Sequence, residues 1–168
     1  MSGNVSMRFV SSMEKVFPGK EPGRPIERIS ALKNERLNFQ LVVISLFERK
    51  GECKWKIKGA LASYARVRIV DFAKGYYNNR PDSDDYVIFH DCGVTLYPEI
   101  LRTPDYTDLS LYPDVFRALW ITVYAPEGLP AGEHDFTVEL CDWMGEPLAE
   151  ETLKVRIIDA ELEKNDLI

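Results

Sequence analysis

Residues 119–140 read LWITVYAPEGLPAGEHDFTVEL and contain two runs rich in β-branched and aromatic residues, 119–124 and 135–140. Two prolines and two glycines lie between these runs, at positions 126, 128, 130 and 132. Such residues preset turn dihedrals and stop a strand from continuing. The pattern predicts two strands that pair as a hairpin with a long loop.

Alternation with a period of two residues recurs along the chain and predicts further strands with one buried face. In residues 37–46 (LNFQLVVISL), every second side chain is apolar, which indicates a central strand. In 54–58 and 65–69, lysines or arginines alternate with apolar residues, and 152–158 (TLKVRII) resembles a closing strand. Runs that recur every ten to twenty residues without helical stripes predict an all-β fold. We expect a single-domain antiparallel β-sandwich of the immunoglobulin or jelly-roll kind.

Length and charge exclude several classes of protein. The chain has 168 residues with 21 basic and 27 acidic side chains, a formal net charge of −6. This balance disfavours a nucleic-acid binder or a polybasic membrane anchor, because both need clustered positive charge. Three widely spaced cysteines, Cys53, Cys92 and Cys141, fit reduced thiols better than a disulfide framework. Because residues 1–20 lack a secretory apolar core, we expect a cytoplasmic protein if Met1 is the native start.

The segment between residues 72 and 112 has no clear period, although 86–89 and 94–97 could add edge strands. Long irregular connections are often functional or contact another domain. Four aromatic residues here could pack beneath the loop, contact another domain or stack on a sugar: Tyr76, Tyr77, Tyr86 and Phe89. Three acidic residues resemble a fragment of a calcium loop, but a solvated loop is the favoured interpretation: Asp82, Asp84 and Asp85.

No catalytic residue, metal site or cofactor is predicted within the chain. Several carboxylates lie near strand ends, and no spacing singles out a glycosidase pair among them: Glu48, Asp71, Asp91, Glu99 and Asp114. The sequence His90-Asp91-Cys92 holds the residue types of a thiol nucleophile, but neighbouring strand residues point to opposite faces. Asn34 and Glu35 should shape the turn before the central strand. Trp120 should anchor the sandwich, and Trp143 should lie in the core or at a strand edge.

Several short sequence segments, called phrases below, occur in an order that resembles a known family. The phrases are SMEKVF (12–17), ALKNERLNFQLVV (31–43), LYPEIL (96–101), the 119–140 stretch and IDAELEKNDLI (158–168). Together they resemble the N-terminal β-sandwich domain of glycoside hydrolase family 123 and its relatives, which carry a domain of unknown function. The resemblance spans nearly the full chain.

The resemblance implies that this chain and the catalytic site belong to different domains of one protein. Residues 1–160 would form an accessory β-sandwich, and 161–168 would begin the linker to a C-terminal catalytic (β/α)-barrel that these 168 residues do not contain. Family 123 enzymes remove β-linked N-acetylgalactosamine, using the substrate's acetamido group as nucleophile beside an Asp-Glu pair. That pair belongs to the barrel, so the resemblance assigns no catalytic residue here.

We therefore expect a non-catalytic module that packs against the barrel of a β-N-acetylhexosaminidase-like glycoside hydrolase. Its partner would be that barrel, and carbohydrate is a second partner to consider. An autonomous carbohydrate-binding module is one alternative, and a protein-interaction domain without sugar chemistry is another. The first would present exposed aromatic residues, and the second a large apolar face.

Overall fold

The structure is a computed structural model that describes residues 5–45, 51–76, 94–104, 106 and 108–162. These residues form ten strands and one short 3₁₀ turn, Ala62–Tyr64. The strands are β1 (Val5–Ser11), β2 (Arg28–Lys33), β3 (Arg36–Ser45), β4 (Gly51–Lys58), β5 (Ala65–Tyr76), β6 (Val94–Arg102), β7 (Asp108–Leu111), β8 (Phe116–Tyr124), β9 (Gly132–Asp142) and β10 (Pro147–Glu161). The described residues include no helix long and apolar enough to span a bilayer.

The strands form two five-stranded sheets, so the predicted all-β sandwich is confirmed. The front sheet has the order β1-β3-β8-β5-β6, and the back sheet has the order β2-β10-β9-β4-β7. Strand pairs are antiparallel except β2 and β10, which run parallel. Each predicted run from residue 37 onwards that falls on described residues forms a strand.

The predicted hairpin between β8 and β9 is wrong. Strand β8 lies in the front sheet and β9 in the back sheet, so the proline- and glycine-rich loop crosses from one sheet to the other. Leu129, in the middle of this loop, is buried in the core between the sheets. Because packed sheets lie about 10 Å apart, a connection that carries a core residue across the gap needs this length.

The core between the sheets is built from alternate residues of both. Leu37, Phe39, Leu41 and Val43 of β3 all face it, as their spacing predicts. Phe39 packs edge-on against Phe9 and Phe136, with ring centroids 5.6 and 5.4 Å apart. Such aromatic pairs add about 0.5–1.5 kcal/mol each beyond the burial of their area.

A second apolar cluster lies on the outer face of the front sheet. Residues 12–27 connect β1 to β2 by crossing this face, and Val16 is completely buried against Val42, Val70 and Ala118. The side-chain amide of Gln40 donates hydrogen bonds to the carbonyls of Ser11 (3.2 Å) and Glu14 (2.7 Å). The 12–27 segment therefore covers one half of the outer face, and no other described segment covers the other half.

The turn between β2 and β3 has the predicted structural role. Asn34 has a φ of 66°, in the left-handed region that asparagine tolerates better than most residues. Its Oδ1 accepts a hydrogen bond from the Tyr124 hydroxyl at 2.9 Å. The Glu35 carboxylate accepts one from the backbone N–H of Leu32 at 2.7 Å. These bonds fix the start of the central strand.

Candidate functional site

The open half of the front sheet carries a cleft of about 430 Å³ on its outer face. We call it the arginine cleft. Its lining comes from β3, β5, β8 and the 3₁₀ turn: Arg36, Asn38, Tyr64, Arg66, Arg68, Thr122 and Tyr124. None of these seven residues is acidic, although the chain as a whole has a net charge of −6.

Strand register brings the lining residues together. Strand β8 lies between β3 and β5, so Thr122 is flanked by Asn38 on one side and Arg66 on the other. In the next row, Trp120 lies between Gln40 and Arg68. Because the side-chain period of a strand is two, these rows share the outer face. Neighbouring strands are about 4.8 Å apart, so the two flanks of the cleft are separated by about 10 Å.

Hydrogen bonds hold the neutral groups of the cleft in place. The Thr122 hydroxyl donates to Asn38 Oδ1 at 2.8 Å. The Tyr124 hydroxyl is held by the neighbouring β2–β3 turn, through its bond to Asn34. Tyr64 is 44% exposed, which leaves much of its ring available to a ligand. The cleft thus has a fixed polar floor with arginines and an aromatic ring around it.

The chemistry of these side chains favours binding over catalysis. The arginine cleft is lined by no carboxylate, histidine or cysteine. Those are the commonest groups in general acid–base and nucleophilic catalysis, and the hydroxyls present, such as that of Thr122, have no adjacent base in the lining. Guanidinium groups present several donors in a planar fork that fits carboxylate, sulfate or phosphate. The arrangement is suited to binding an anion.

Most of the site residues predicted from sequence lie outside the described residues. This applies to Tyr77, Tyr86 and Phe89 and to the acidic residues Asp82, Asp84 and Asp85. It also applies to Glu48 and to His90, Asp91 and Cys92. Tyr76 is the last residue of β5. Among the residues that the structure does describe, no group of three or more His, Cys, Asp or Glu could hold a metal ion.

Three of the candidate carboxylates lie on described residues. Asp114 has a φ of 55°, and its backbone N–H donates to the carbonyl of Ser45 at 3.2 Å. Asp71 binds Arg102 and Arg117, with N···O distances of 2.5 and 2.8 Å. Glu99 pairs with Lys15 at 3.0 Å, on the other face of β6. Burial raises the pKa of Asp71, but the hydrogen bonds from both arginines outweigh it and leave this pKa below its usual range. Asp71 is therefore a charged anchor between strands, which does not fit a proton donor at neutral pH.

The two located cysteines are buried thiols. Desolvation by burial raises the pKa of Cys53 to about 11. Burial also raises the pKa of Cys141, whose Sγ donates to Glu139 at 3.3 Å. Because the thiolate is the reactive form, neither group suits a nucleophile at neutral pH.

The tryptophans show what sequence reasoning missed. Trp120 faces the outer surface of the front sheet rather than the sandwich core, and Trp143 is 70% exposed in the β9–β10 turn. The available signal was parity: Leu119, Ile121 and Val123 share the inner face, so Trp120 must point outward with Thr122. The same parity places Arg66 and Arg68 outward. Only the order of the strands brings them beside residues of β3.

Comparisons with known proteins concern the fold. Neither a model of a protein family nor a curated protein sequence matches the chain. Among solved structures, the fold is similar to part of a family 123 glycoside hydrolase from Clostridium perfringens, solved in a study of glycolipid glycan hydrolysis. The TM-score is 0.67 at 9% identity, and the match covers 97% of this chain and 28% of that chain. This chain thus spans a little over a quarter of that enzyme's length.

Weaker likenesses extend to other proteins. AvmM, which catalyses macrocyclization in alchivemycin A biosynthesis, matches with a TM-score of 0.47 at 8% identity, over 98% of this chain and 93% of that one. A FixG-related protein from Vibrio parahaemolyticus matches with a TM-score of 0.42 at 11% identity, over 94% and 97%. At such identities the likeness to the glycoside hydrolase concerns the fold alone.

Proposed function

We propose that this chain is a non-catalytic β-sandwich module that packs against and supports the (β/α)-barrel of a β-N-acetylhexosaminidase-like glycoside hydrolase. The observation that carries the proposal is the likeness, with a TM-score of 0.67 over 97% of this chain, to one part of a family 123 glycoside hydrolase. The order of the short sequence segments quoted above resembles the same family. In this proposal the chemistry belongs to the barrel.

The edge of the front sheet supplies the best contact surface for such a barrel. Among the described residues, strand β6 is the last strand of its sheet, and Leu96, Ile100 and Leu101 on it are 44%, 47% and 41% exposed. Exposed apolar residues on a free edge strand are a liability that proteins normally cover. We assign the barrel contact to β6 and to the chain that joins it to β5, where Tyr76, Tyr77, Tyr86 and Phe89 would contribute.

The first experiment tests whether this chain by itself hydrolyses a hexosaminide. The 168-residue chain is purified and incubated with an aryl β-N-acetylhexosaminide, and release of the phenol is followed by absorbance. We expect no turnover above the buffer rate, because the proposal assigns the chemistry to the barrel and the candidate carboxylates Asp71 and Glu99 are engaged with cationic partners. Turnover that co-purifies with the chain and is lost on its thermal unfolding would overturn the proposal.

The second experiment tests the partner. The gene is sequenced beyond the codon for Ile168, and the barrel expected there is expressed separately and titrated with this chain. Replacing Ile100 and Leu101 by serine should weaken the association at least tenfold. Replacing Trp143 and Met144, which are 70% and 71% exposed in the β9–β10 turn, by serine should change it less than threefold. A gene that encodes no barrel, or equal effects of the two double variants, contradicts the proposal.

A further inference from the structure

Three arginines of the cleft lie close together with no acidic residue in the lining. Many basic side chains are paired, as Arg102 and Arg117 are with Asp71. Within the described residues, Arg36, Arg66 and Arg68 form no ion pair. Three unpaired arginines therefore converge on one face of an acidic protein, beside a cleft with no acidic lining. Like charges brought together without a counter-ion repel one another, so this arrangement stabilises the free protein little.

The spacing of the charges indicates an extended ligand. Arg66 and Arg68 are two residues apart on β5, which places them about 6.6 Å apart along the strand. Arg36 lies across β8, about 10 Å from β5. A single small anion cannot reach both flanks, whereas a chain with charged groups at intervals can. Between the flanks, Thr122 and Asn38 offer a hydroxyl and an amide to neutral polar groups of the same ligand.

We infer that the arginine cleft binds a sugar chain that carries carboxylate or sulfate groups. The arginines bind the anionic groups through charge-assisted hydrogen bonds, which are shorter and stronger than neutral ones. The half-exposed ring of Tyr64 packs against the apolar face of a sugar ring. The choice of a sugar chain over another polyanion rests on the proposed function, since a module beside a glycoside hydrolase meets glycans.

The test measures binding of defined probes to the purified 168-residue chain by isothermal titration calorimetry at low salt. The probes are oligogalacturonate, a chondroitin sulfate oligosaccharide, a neutral galactose oligosaccharide, sodium sulfate and a polyglutamate peptide. We expect saturable binding of at least one charged oligosaccharide, no binding of the neutral one, and affinity that falls as salt rises.

Variants locate the site. Replacing Arg66 and Arg68 together by glutamine should lower affinity for the charged oligosaccharide by at least tenfold. The matched control replaces Arg24 and Arg156, two exposed arginines outside the cleft, and should change affinity less than twofold. Tyr64→Ala should weaken oligosaccharide binding severalfold and leave sulfate binding unchanged. Far-UV circular dichroism and melting temperature confirm that each variant folds.

Four results overturn the inference. The first is that neither charged oligosaccharide binds at millimolar concentration, and the second is that the cleft and control variants lose the same affinity. The third is that sulfate alone binds as tightly as the oligosaccharide. The fourth is that polyglutamate binds as tightly as the oligosaccharide and Tyr64→Ala has no effect on its binding. The last result would identify an acidic peptide as the ligand instead. Barrel association is measured on the same variants, and Arg66 and Arg68 are not on β6. Loss of glycan binding with intact association, or the reverse, therefore separates this inference from the proposed function.

Discussion

Replacing Asp71 by asparagine should destabilise the front sheet, because this carboxylate joins three of its strands. Asp71 lies on β5, accepts a hydrogen bond from Arg117 of β8 at 2.8 Å and pairs with Arg102 of β6 at 2.5 Å. The guanidinium of Arg117 also lies 5.3 Å from the centre of the Phe72 ring. The cluster therefore fixes the base of the β5–β6 hairpin, to which we assign the barrel contact.

The expected loss follows from how far each partner is buried. The Arg117 side chain is 11% exposed, so most of its charge is away from water when Asp71 neutralises it. Removing a charged hydrogen-bond partner at such a site costs about 2–3 kcal/mol. Arg102 is 51% exposed, and an ion pair of that kind contributes about 0–1 kcal/mol. Asp71→Asn should therefore cost about 2–3 kcal/mol, and Arg102→Gln less than about 1 kcal/mol.

Urea unfolding followed by tryptophan fluorescence measures this loss. With an m-value of about 2 kcal/mol/M, Asp71→Asn should lower the midpoint by about 1–1.5 M at pH 7. The pKa of Asp71 in the folded state is below its usual range, so its contribution is present above the unfolded pKa of about 3.9. That contribution is lost as pH falls through the folded pKa. The difference between wild type and variant should thus be constant from pH 6 to 8 and shrink below about pH 4.

Three results would refute this reasoning. One is a loss below about 0.5 kcal/mol at pH 7, which would mean that the cluster contributes nothing beyond an exposed pair. Another is a loss that grows on acidification, because the linkage would then have the opposite sign. The third is an equal cost for Arg102→Gln, which would show that burial of Arg117 does not set the magnitude.

Two further predictions use the same unfolding assay or simple thiol chemistry. Gly59 has a φ of 107°, and an added Cβ would lie 2.1 Å from a backbone oxygen of β9, so Gly59→Ala should cost about 1–3 kcal/mol. Gly128→Ala, with nothing within 4 Å of its Cβ, should stay within about 0.5 kcal/mol of wild type. With its pKa near 11, buried Cys53 should react with iodoacetamide at pH 8 at least about a hundredfold slower than in urea, by peptide mass spectrometry.

Sequence alone could predict the strands because their signal is local. Alternation of apolar and charged residues in 54–58 reflects one buried and one wet face, whichever strands lie beside it. In the structure, Trp55 is buried while Lys54 and Lys56 are exposed, as the alternation predicts. The turn at Asn34 was predictable from its local residue types, and the hydrogen bond between Leu32 and Glu35 is local. The bond from Tyr124, 90 positions away, depends on the fold.

Strand pairing could not be predicted, because the same loop chemistry serves two topologies. Prolines and glycines between residues 124 and 132 stop both strands, whether the loop folds back on one sheet or crosses to the other. Burial of Leu129 distinguishes the two, and it depends on the opposite sheet being present. The arginine cleft was missed for this reason too. Arg36 and Arg66 are thirty positions apart in sequence. They line the same cleft only because β8 lies between their strands.

Several charges on the outer face of the back sheet are paired, whereas the arginines of the cleft, within the described part of the chain, are not. On the back sheet, lysines of β4 face carboxylates of β9, with Lys56 and Lys58 both paired to Glu139, and Lys154 of β10 pairs with Asp135 at 2.6 Å. These charges serve solubility and offset one another within the fold. The arginines of the cleft lack such partners among the described residues, so their removal should cost the fold little. A charged face that adds little to stability, on a fixed polar floor, fits selection for a ligand better than selection for folding.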